Sequence, residues 1–160
     1  MSEDWAAIEA PTMTDLDTLV DRWVDLAAGQ RQHGSHLEAD GNRDRIRETL
    51  ARQIALSEVR VARQDGRIVG FVSYTIEGST FARSTTKGLI QNIYVVPELR
   101  GLGIGSQLLD VAEDALVAEG ADVVALEVMA ANEAARRFYM RHGYDAHRVT
   151  LEKPVESDTP

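Results

Sequence analysis

The run Val95-Val96-Pro97-Glu98-Leu99-Arg100-Gly101-Leu102-Gly103-Ile104-Gly105-Ser106 constrains the fold more than any other stretch of this chain. Before it, residues 88–96 read as a strand ended by Pro97. After it, residues 103–119 read as a helix, with Leu108, Leu109, Ala112, Ala115 and Leu116 on one face and Gly120 beyond the end. A strand that turns through glycines straight into a helix leaves the first N–H groups of that helix without intrahelical acceptors. The helix dipole adds roughly half a positive charge at the same end. Glycines allow the positive φ angles and close backbone approach that wrapping an anion requires. The turn therefore predicts a phosphate-holding site, with a plain tight turn as the alternative.

Two absences narrow the kind of phosphate. No Gly-Lys-Ser/Thr follows, so the lysine and the magnesium-binding hydroxyl of a nucleoside triphosphatase are missing. The glycines fall at 101, 103 and 105, not at 101, 103 and 106, and they lie past the middle of the chain. A dinucleotide fold places its glycine fingerprint after the first strand.

Elsewhere the pattern alternates between periods. Residues 5–9 predict a short strand. Thr14 predicts a helix N-cap, followed by Leu16, Leu19, Val20, Trp23, Val24 and Ala27, with a stop at Gly29. Residues 30–41 are polar and read as a loop, and a second helix starts near Asn42 with Ile46, Leu50 and Ile54 inward. Residues 59–64 and 67–77 read as strands joined by the hairpin signal Asp65-Gly66, and residues 78–86 as a loop. A buried-type strand spans 123–128, a helix runs from Asn132 to about His142 and ends at Gly143, and a last strand covers 146–152. This order implies an α/β chain with a mixed sheet and helices on its faces.

The chain has 160 residues, 44% of them hydrophobic, which suits one domain of roughly 100–200 residues. Residues 1–154 are expected to form it, with residues 155–160 as a tail. There is no cysteine, which removes disulfides and thiol nucleophiles. Apolar runs reach only four or five residues, against about 20 for a bilayer span, and the acidic start lacks a signal-peptide pattern. A cytoplasmic location and no membrane partner are expected. Seventeen basic against 26 acidic residues give −9, and only Lys87 and Lys153 are lysines. Such a chain is poorly suited to nucleic acid, whose backbone asks for a basic face. The acid excess reads either as salt adaptation, as in a halophile, or as steering of a cationic partner.

Arg100-Gly101-Leu102-Gly103-Ile104-Gly105 matches Arg/Gln-x-x-Gly-x-Gly/Ala. With the preceding strand 90–97, and with Leu126-Glu127-Val128, Ala131-Asn132-Glu133-Ala134-Ala135, Phe138-Tyr139 and Gly143-Tyr144, it resembles the GCN5-related N-acetyltransferase (GNAT) family over roughly residues 66–153. The resemblance implies a GNAT-like acyl-CoA N-acyltransferase fold. Its central, mostly antiparallel sheet would splay between two parallel strands, with helices on both faces. It implies acetyl-CoA as co-substrate, no metal, and transfer of the acetyl group to a primary amine. Ile93, Tyr94 and Val95 would pair with the pantetheine arm. Arg100, Gly101, Leu102, Gly103, Ile104, Gly105 and Ser106 would hold the pyrophosphate. Asn132 would contact the pantetheine or phosphate region, and Phe138 would flank the arm.

Acetyl transfer must take a proton from the amine and supply one to the thiolate. Tyr139 and Glu127 stand twelve residues apart, a spacing similar to that of ribosomal-protein N-terminal alanine acetyltransferases, where the pair serves as acid and base. The resemblance therefore implies Tyr139 as the acid and Glu127 as the base. The alternatives are a tyrosine packed on pantetheine and a carboxylate paired with Arg136 or Arg137. Many family members carry a glutamate on the strand before the glycine turn, but here Gln91 and Asn92 stand there. Glu77 and Tyr74 are secondary candidates. Arg136, Arg137, Arg141 and Arg148, against the single acid Asp145, form a local basic patch that could draw CoA phosphates or merely be solvated. His33 and His36 read as part of a loop over the acceptor site, His142 and His147 as structural, and Trp23 as core. A homodimer is left open, and the alternative function is a non-catalytic acyl-CoA-binding or regulatory module.

Overall fold

The computed structural model of the chain describes residues 6–78 and 84–155. The expected strand start at Trp5, most of the expected 78–86 loop and the tail after Val155 lie outside the described residues. In order come β1 (Ala7–Glu9), α1 (Leu16–Arg31), α2 (Arg43–Ala55), β2 (Val59–Gln64), β3 (Arg67–Ile76), β4 (Lys87–Val95), α3 (Ile104–Ala118), β5 (Val123–Leu126) and α4 (Glu133–Arg141). One sheet takes the strands in the order β1-β2-β3-β4-β5, antiparallel except for the parallel β4–β5 pair.

The β2–β3 hairpin turns where the sequence says it should. Asp65 and Gly66 adopt φ of 52° and 75°, the positive pair that a type I′ turn needs. The first helix differs from expectation at both ends. A short turn at Met13–Asp15 precedes it, and the Asp15 carboxylate accepts from the Thr12 N–H at 2.9 Å, so Thr12 takes the capping role expected of Thr14. Its last turn continues through Gly29 to Arg31, and nothing crowds Gly29 there.

Residues 68–74 of β3 are buried without interruption, so both faces of that strand are covered. On one face lies α3, whose Ile104, Leu108, Leu109, Ala112 and Leu116 are buried. Gly70 and Gly88 lie under it, facing Leu108 and Leu116. The buried stripe Leu16, Leu19, Val20, Trp23 and Ala27 of α1 joins the same core, as does Leu50 of α2. Both helices pack on the sheet and on each other, with Arg43 pairing Asp21 at 2.7 Å across them.

Gly70 is held to its size. A Cβ there would stand 2.6 Å from the backbone oxygen of Tyr94 and 3.2 Å from Leu108 Cδ1. Because a strand carbonyl cannot step aside, Gly70→Ala is expected to destabilise the fold by about 1–3 kcal/mol. Urea unfolding should show a lower midpoint at unchanged slope.

Two expected strands are corrected. The 123–128 strand ends at Leu126, because pairing with β4 stops there. The 146–152 strand is absent: residues 145–155 join no strand, although residues 148–152 alternate between polar and apolar. Among the described residues, no strand pairs with them.

Candidate active site

The site begins where β4 and β5 part. Their pairing runs from Lys87↔Val123 to Ile90↔Leu126 and stops, while β4 continues to Val95. At that point Gln91 has no partner on β3, whose Ser73 and Tyr74 face Asn92 and Ile90. A bulge of this kind bends its strand. Beyond it, the Val96 N–H donates to Val69 O at 2.9 Å, toward β3. Alternation then turns the N–H and C=O of Ile93 and Val95 to the open side. The Val95 carbonyl is taken by Arg100 Nε at 2.9 Å, and the Arg100 guanidinium stands 5.5 Å over the Tyr94 ring. Tyr94 itself is buried, and by the same alternation its N–H and C=O face β3.

The slot leads to the glycine turn. Gly101 and Gly103 take φ of 81° and 91°, and nothing lies within 4 Å of where their Cβ atoms would be. No side chain caps α3, and no acid stands in its first turn. The Gln107 N–H bonds to Gly103 O at 3.1 Å, so the amides of Ile104, Gly105 and Ser106 precede the first helical bond. Leu102 is exposed on the turn. The Ser106 hydroxyl is committed elsewhere: it meets His142 Nε2 at 3.0 Å, while His142 Nδ1 donates to Phe138 O at 2.8 Å. His142 thus ties α4 to the start of α3, in keeping with its structural reading.

On α4, Asn132 is the N-cap, its Oδ1 accepting from the Ala135 N–H at 3.2 Å, which leaves its amide NH₂ for a ligand. Phe138 packs 3.5 Å from the Cβ position of Gly105, and its ring lies 5.3 Å from that of Tyr139. The Tyr139 hydroxyl has no hydrogen-bond partner among the described residues. Burial pushes its pKa up to about 12. Neighbouring Tyr144 donates to Glu113 at 2.7 Å, and burial and that bond raise its pKa too.

Burial also raises the other two phenols, Tyr74 and Tyr94. The folded chain therefore holds phenol protons that the unfolded chain releases near pH 10, to within about a unit. Stability from this source is complete below about pH 10 and falls as pH rises through the folded values. A melting-temperature series should decline above that point, with tyrosinate absorbance appearing only as the protein unfolds.

Glu127 lies beyond the end of β5, exposed and without an ion pair among the described residues. Arg136 instead donates to Ala130 O at 3.2 Å, and Arg137 approaches Glu133 at 4.0 Å. Asn92 donates to the buried Ser73 hydroxyl at 2.9 Å, and Tyr74 sits in the core. Glu77 lies 4.0 Å from Lys87, and His36 meets Glu152 at 3.0 Å. Trp23 is buried, as expected.

Sequence reasoning missed Gln53. It is 7% exposed, and its Nε2 donates to Gln91 Oε1 at 2.8 Å, while its own Oε1 is buried with no hydrogen-bond partner among the described residues. An orphaned acceptor at the point where the strands separate suits an incoming N–H or a water. The available signal was a polar residue in step with Ile46 and Leu50 on the inward stripe of α2. A groove of about 470 Å³ also opens beside the glycine turn, lined in part by Arg22, Gln32, Arg67 and Arg100.

Residues 21–144 match the Acetyltransferase (GNAT) family. Over 96 residues the chain is 36% identical to the aminoalkylphosphonate N-acetyltransferase of Salmonella typhimurium, covering 60% of this chain and 62% of that protein. It is 33% identical over 84 residues to N-alpha-acetyltransferase 30 of Schizosaccharomyces pombe, covering 52% and 55%. The matches thus span little more than half the length of these relatives. The crystal structure of PaiA N-acetyltransferase from Thermoplasma acidophilum, in complex with coenzyme A, superposes with a TM-score of 0.76 at 21% identity, covering 91% of this chain and 92% of that one. The chain belongs to the GNAT family and has its fold, with the mixed sheet parting between two parallel strands.

Proposed function

We propose that this protein transfers the acetyl group of acetyl-CoA to a primary amine of a small molecule or a protein N-terminus, by direct attack in a ternary complex. The observation that carries this reading is the parting of β4 from β5 after Ile90 and Leu126, which opens a slot onto the free amides of the glycine turn. The residues present fit CoA. The turn has open space above Gly101 and Gly103, no side-chain cap and no nearby first-turn acid to repel phosphate. Acetyl-CoA supplies a thioester whose carbonyl carbon accepts the amine.

The amides of Ile104, Gly105 and Ser106 hold the pyrophosphate, backed by Arg100, Gly101, Leu102 and Gly103. The outward N–H and C=O of Ile93 pair with the pantetheine arm, and a strand N–H polarises the thioester carbonyl. Asn132 reaches the arm with its amide NH₂, and Phe138 flanks it. The new N–C bond forms as the C–S bond breaks. Glu127 takes the amine proton through a water, and the Gln53–Gln91 pair orients that water or the amine. Tyr139 gives a hydrogen bond to the departing sulfur. With its pKa raised, it stays a protonated donor at every working pH, and solvent completes the proton balance. The chain has no cysteine, so the acetyl group does not pass through a cysteinyl intermediate.

The name of the Salmonella relative, an aminoalkylphosphonate N-acetyltransferase, supports a small-molecule acceptor, and that of the fission-yeast relative, an N-alpha-acetyltransferase, supports an α-amine such as a protein N-terminus. Residues 1–154 act as one domain in this reading, with the rest as a tail. Among the described residues, no helix is long and apolar enough to cross a membrane. The acid excess, including exposed Asp110 and Asp114 on α3 and Glu119 just past its end, reflects salt adaptation. A screen of small amines and N-terminal peptides, read by mass spectrometry at high and low salt, tests the function. Acetylated product should form and should fall, together with the melting temperature, as salt is removed. Binding of acetyl-CoA without product from any amine would favour a non-catalytic module. Indifference to salt would return the acid excess to attraction of a cationic acceptor.

A further inference from the structure

The two ring nitrogens of His142 have their roles fixed by what they meet. Nδ1 lies 2.8 Å from the Phe138 carbonyl oxygen, which can only accept, so Nδ1 carries a hydrogen. In the neutral ring Nε2 is then bare, and at 3.0 Å it accepts from the Ser106 hydroxyl. The ring stands edge-on to Phe138, with centroids 4.5 Å apart. Ser106 sits in the first turn of α3, and helical side chains lean toward the N-terminus, which brings its hydroxyl toward the glycine turn. With its hydrogen turned back to His142, that oxygen offers an incoming anion only lone pairs.

A proton on Nε2 reverses the bond. The imidazolium then donates to Ser106 Oγ, and the Ser106 hydrogen is released. The Nδ1 bond to Phe138 is the same in both states, so α4 need not move. One proton thus turns Ser106 from an acceptor into a donor toward the anion. The charged groups about the ring are carboxylates and one arginine. Glu113 of α3, bonded to Tyr144, and Asp145 after α4 line a groove with His142, to which β5 adds only Val124. Asp110 follows Ser106 by one turn of α3, and Arg141 precedes His142 on α4. The carboxylates offset the charge of an imidazolium, and Arg141 opposes it.

We propose that His142 is a positioning residue for the pyrophosphate, taking a proton from solvent as the anion binds so that the Ser106 hydroxyl donates to it. This rests on the reading of the glycine turn as a CoA site. The proton stays on Nε2 while the ligand is bound, and no covalent bond changes. By reciprocity, an anion that favours the protonated ring is held more tightly when the ring is protonated. Imidazole changes charge between pH 5 and 8, so acetyl-CoA affinity should fall about tenfold from about pH 6 to about pH 8. Saturating acetyl-CoA hides this effect from kcat/KM for the amine.

Titration calorimetry with 3′-dephospho-CoA near pH 6.5, in buffers of different ionisation enthalpy, counts the protons taken up. This probe keeps the pyrophosphate and lacks the phosphate monoester, which itself titrates near pH 6. Wild-type binding should take up roughly half a proton or more. His142→Gln, whose amide reaches the Nε2 position and does not titrate, should bind without uptake and with an affinity flat in pH. Ser106→Ala should lose most of the uptake, because the hydroxyl carries the coupling. A histidine that only braces α4 against α3 would move the melting temperature and leave the proton count alone. Wild-type binding without uptake, or uptake undiminished in either variant, would overturn the proposal. Absence of binding at every pH would overturn the reading of the turn as a CoA site, and this proposal with it.

Discussion

Tyr139→Phe should lower kcat by about 10²-fold or more while leaving acetyl-CoA affinity nearly unchanged. The hydroxyl removed has no hydrogen-bond partner among the described residues, so its loss orphans no buried group. The ring stays between Phe138 and Tyr144, whose centroids lie 5.3 and 6.0 Å away. What disappears is a donor needed only as charge builds on the sulfur, an interaction made in the transition state and not before it. The pH dependence follows from the same group. Since burial holds the phenol near 12, kcat/KM should rise with pH as the amine loses its proton and should not fall again near pH 10. An alkaline fall below pH 10 that vanishes in Tyr139→Phe would show a phenol titrating where this structure says it does not. A variant with wild-type kcat would remove Tyr139 from the chemistry.

Gly103→Val should weaken acetyl-CoA binding by roughly 10- to 100-fold. Space is not the obstacle, because no atom lies within 4 Å of the new Cβ. The cost lies in the backbone, where φ of 91° is strained for any branched residue. The turn relieves that strain by rotating, which moves the first amides of α3 off the pyrophosphate. A charge-assisted bond to such an amide contributes about 1.5–3 kcal/mol. Titration calorimetry reads the effect directly, and wild-type melting would confirm that the loss is local. Unchanged affinity would mean that the pyrophosphate is held elsewhere.

Local chemistry was legible wherever one short stretch decided the outcome. The hairpin followed from Asp65-Gly66, and the phosphate-type turn followed from its glycines and the helix behind them. Helix faces followed from spacing, down to the buried Trp23. What could not be read depends on partners distant in the chain. Glu127 and Val128 continue the alternation of β5, yet the strand ends at Leu126, because the bulge at Gln91 carries β4 away. The role of Gln53 rests on a residue 38 positions on, and that of His142 on Ser106, 36 positions back. Residues 148–152 alternate as a strand does, but alternation alone supplies no neighbour to pair with. The glycine stop failed for a related reason: the helix bonds run past Gly29, and nothing nearby breaks them.

The central claim is that the slot between β4 and β5 delivers a thioester to an amine. Release of free thiol from acetyl-CoA tests it most directly, because the chain has no cysteine and adds no background to a thiol reagent. The protein should release thiol only when an acceptor amine is present, in step with acetylated product, and Tyr139→Phe should slow the release. Tight acetyl-CoA binding with no amine-dependent thiol release would contradict the account.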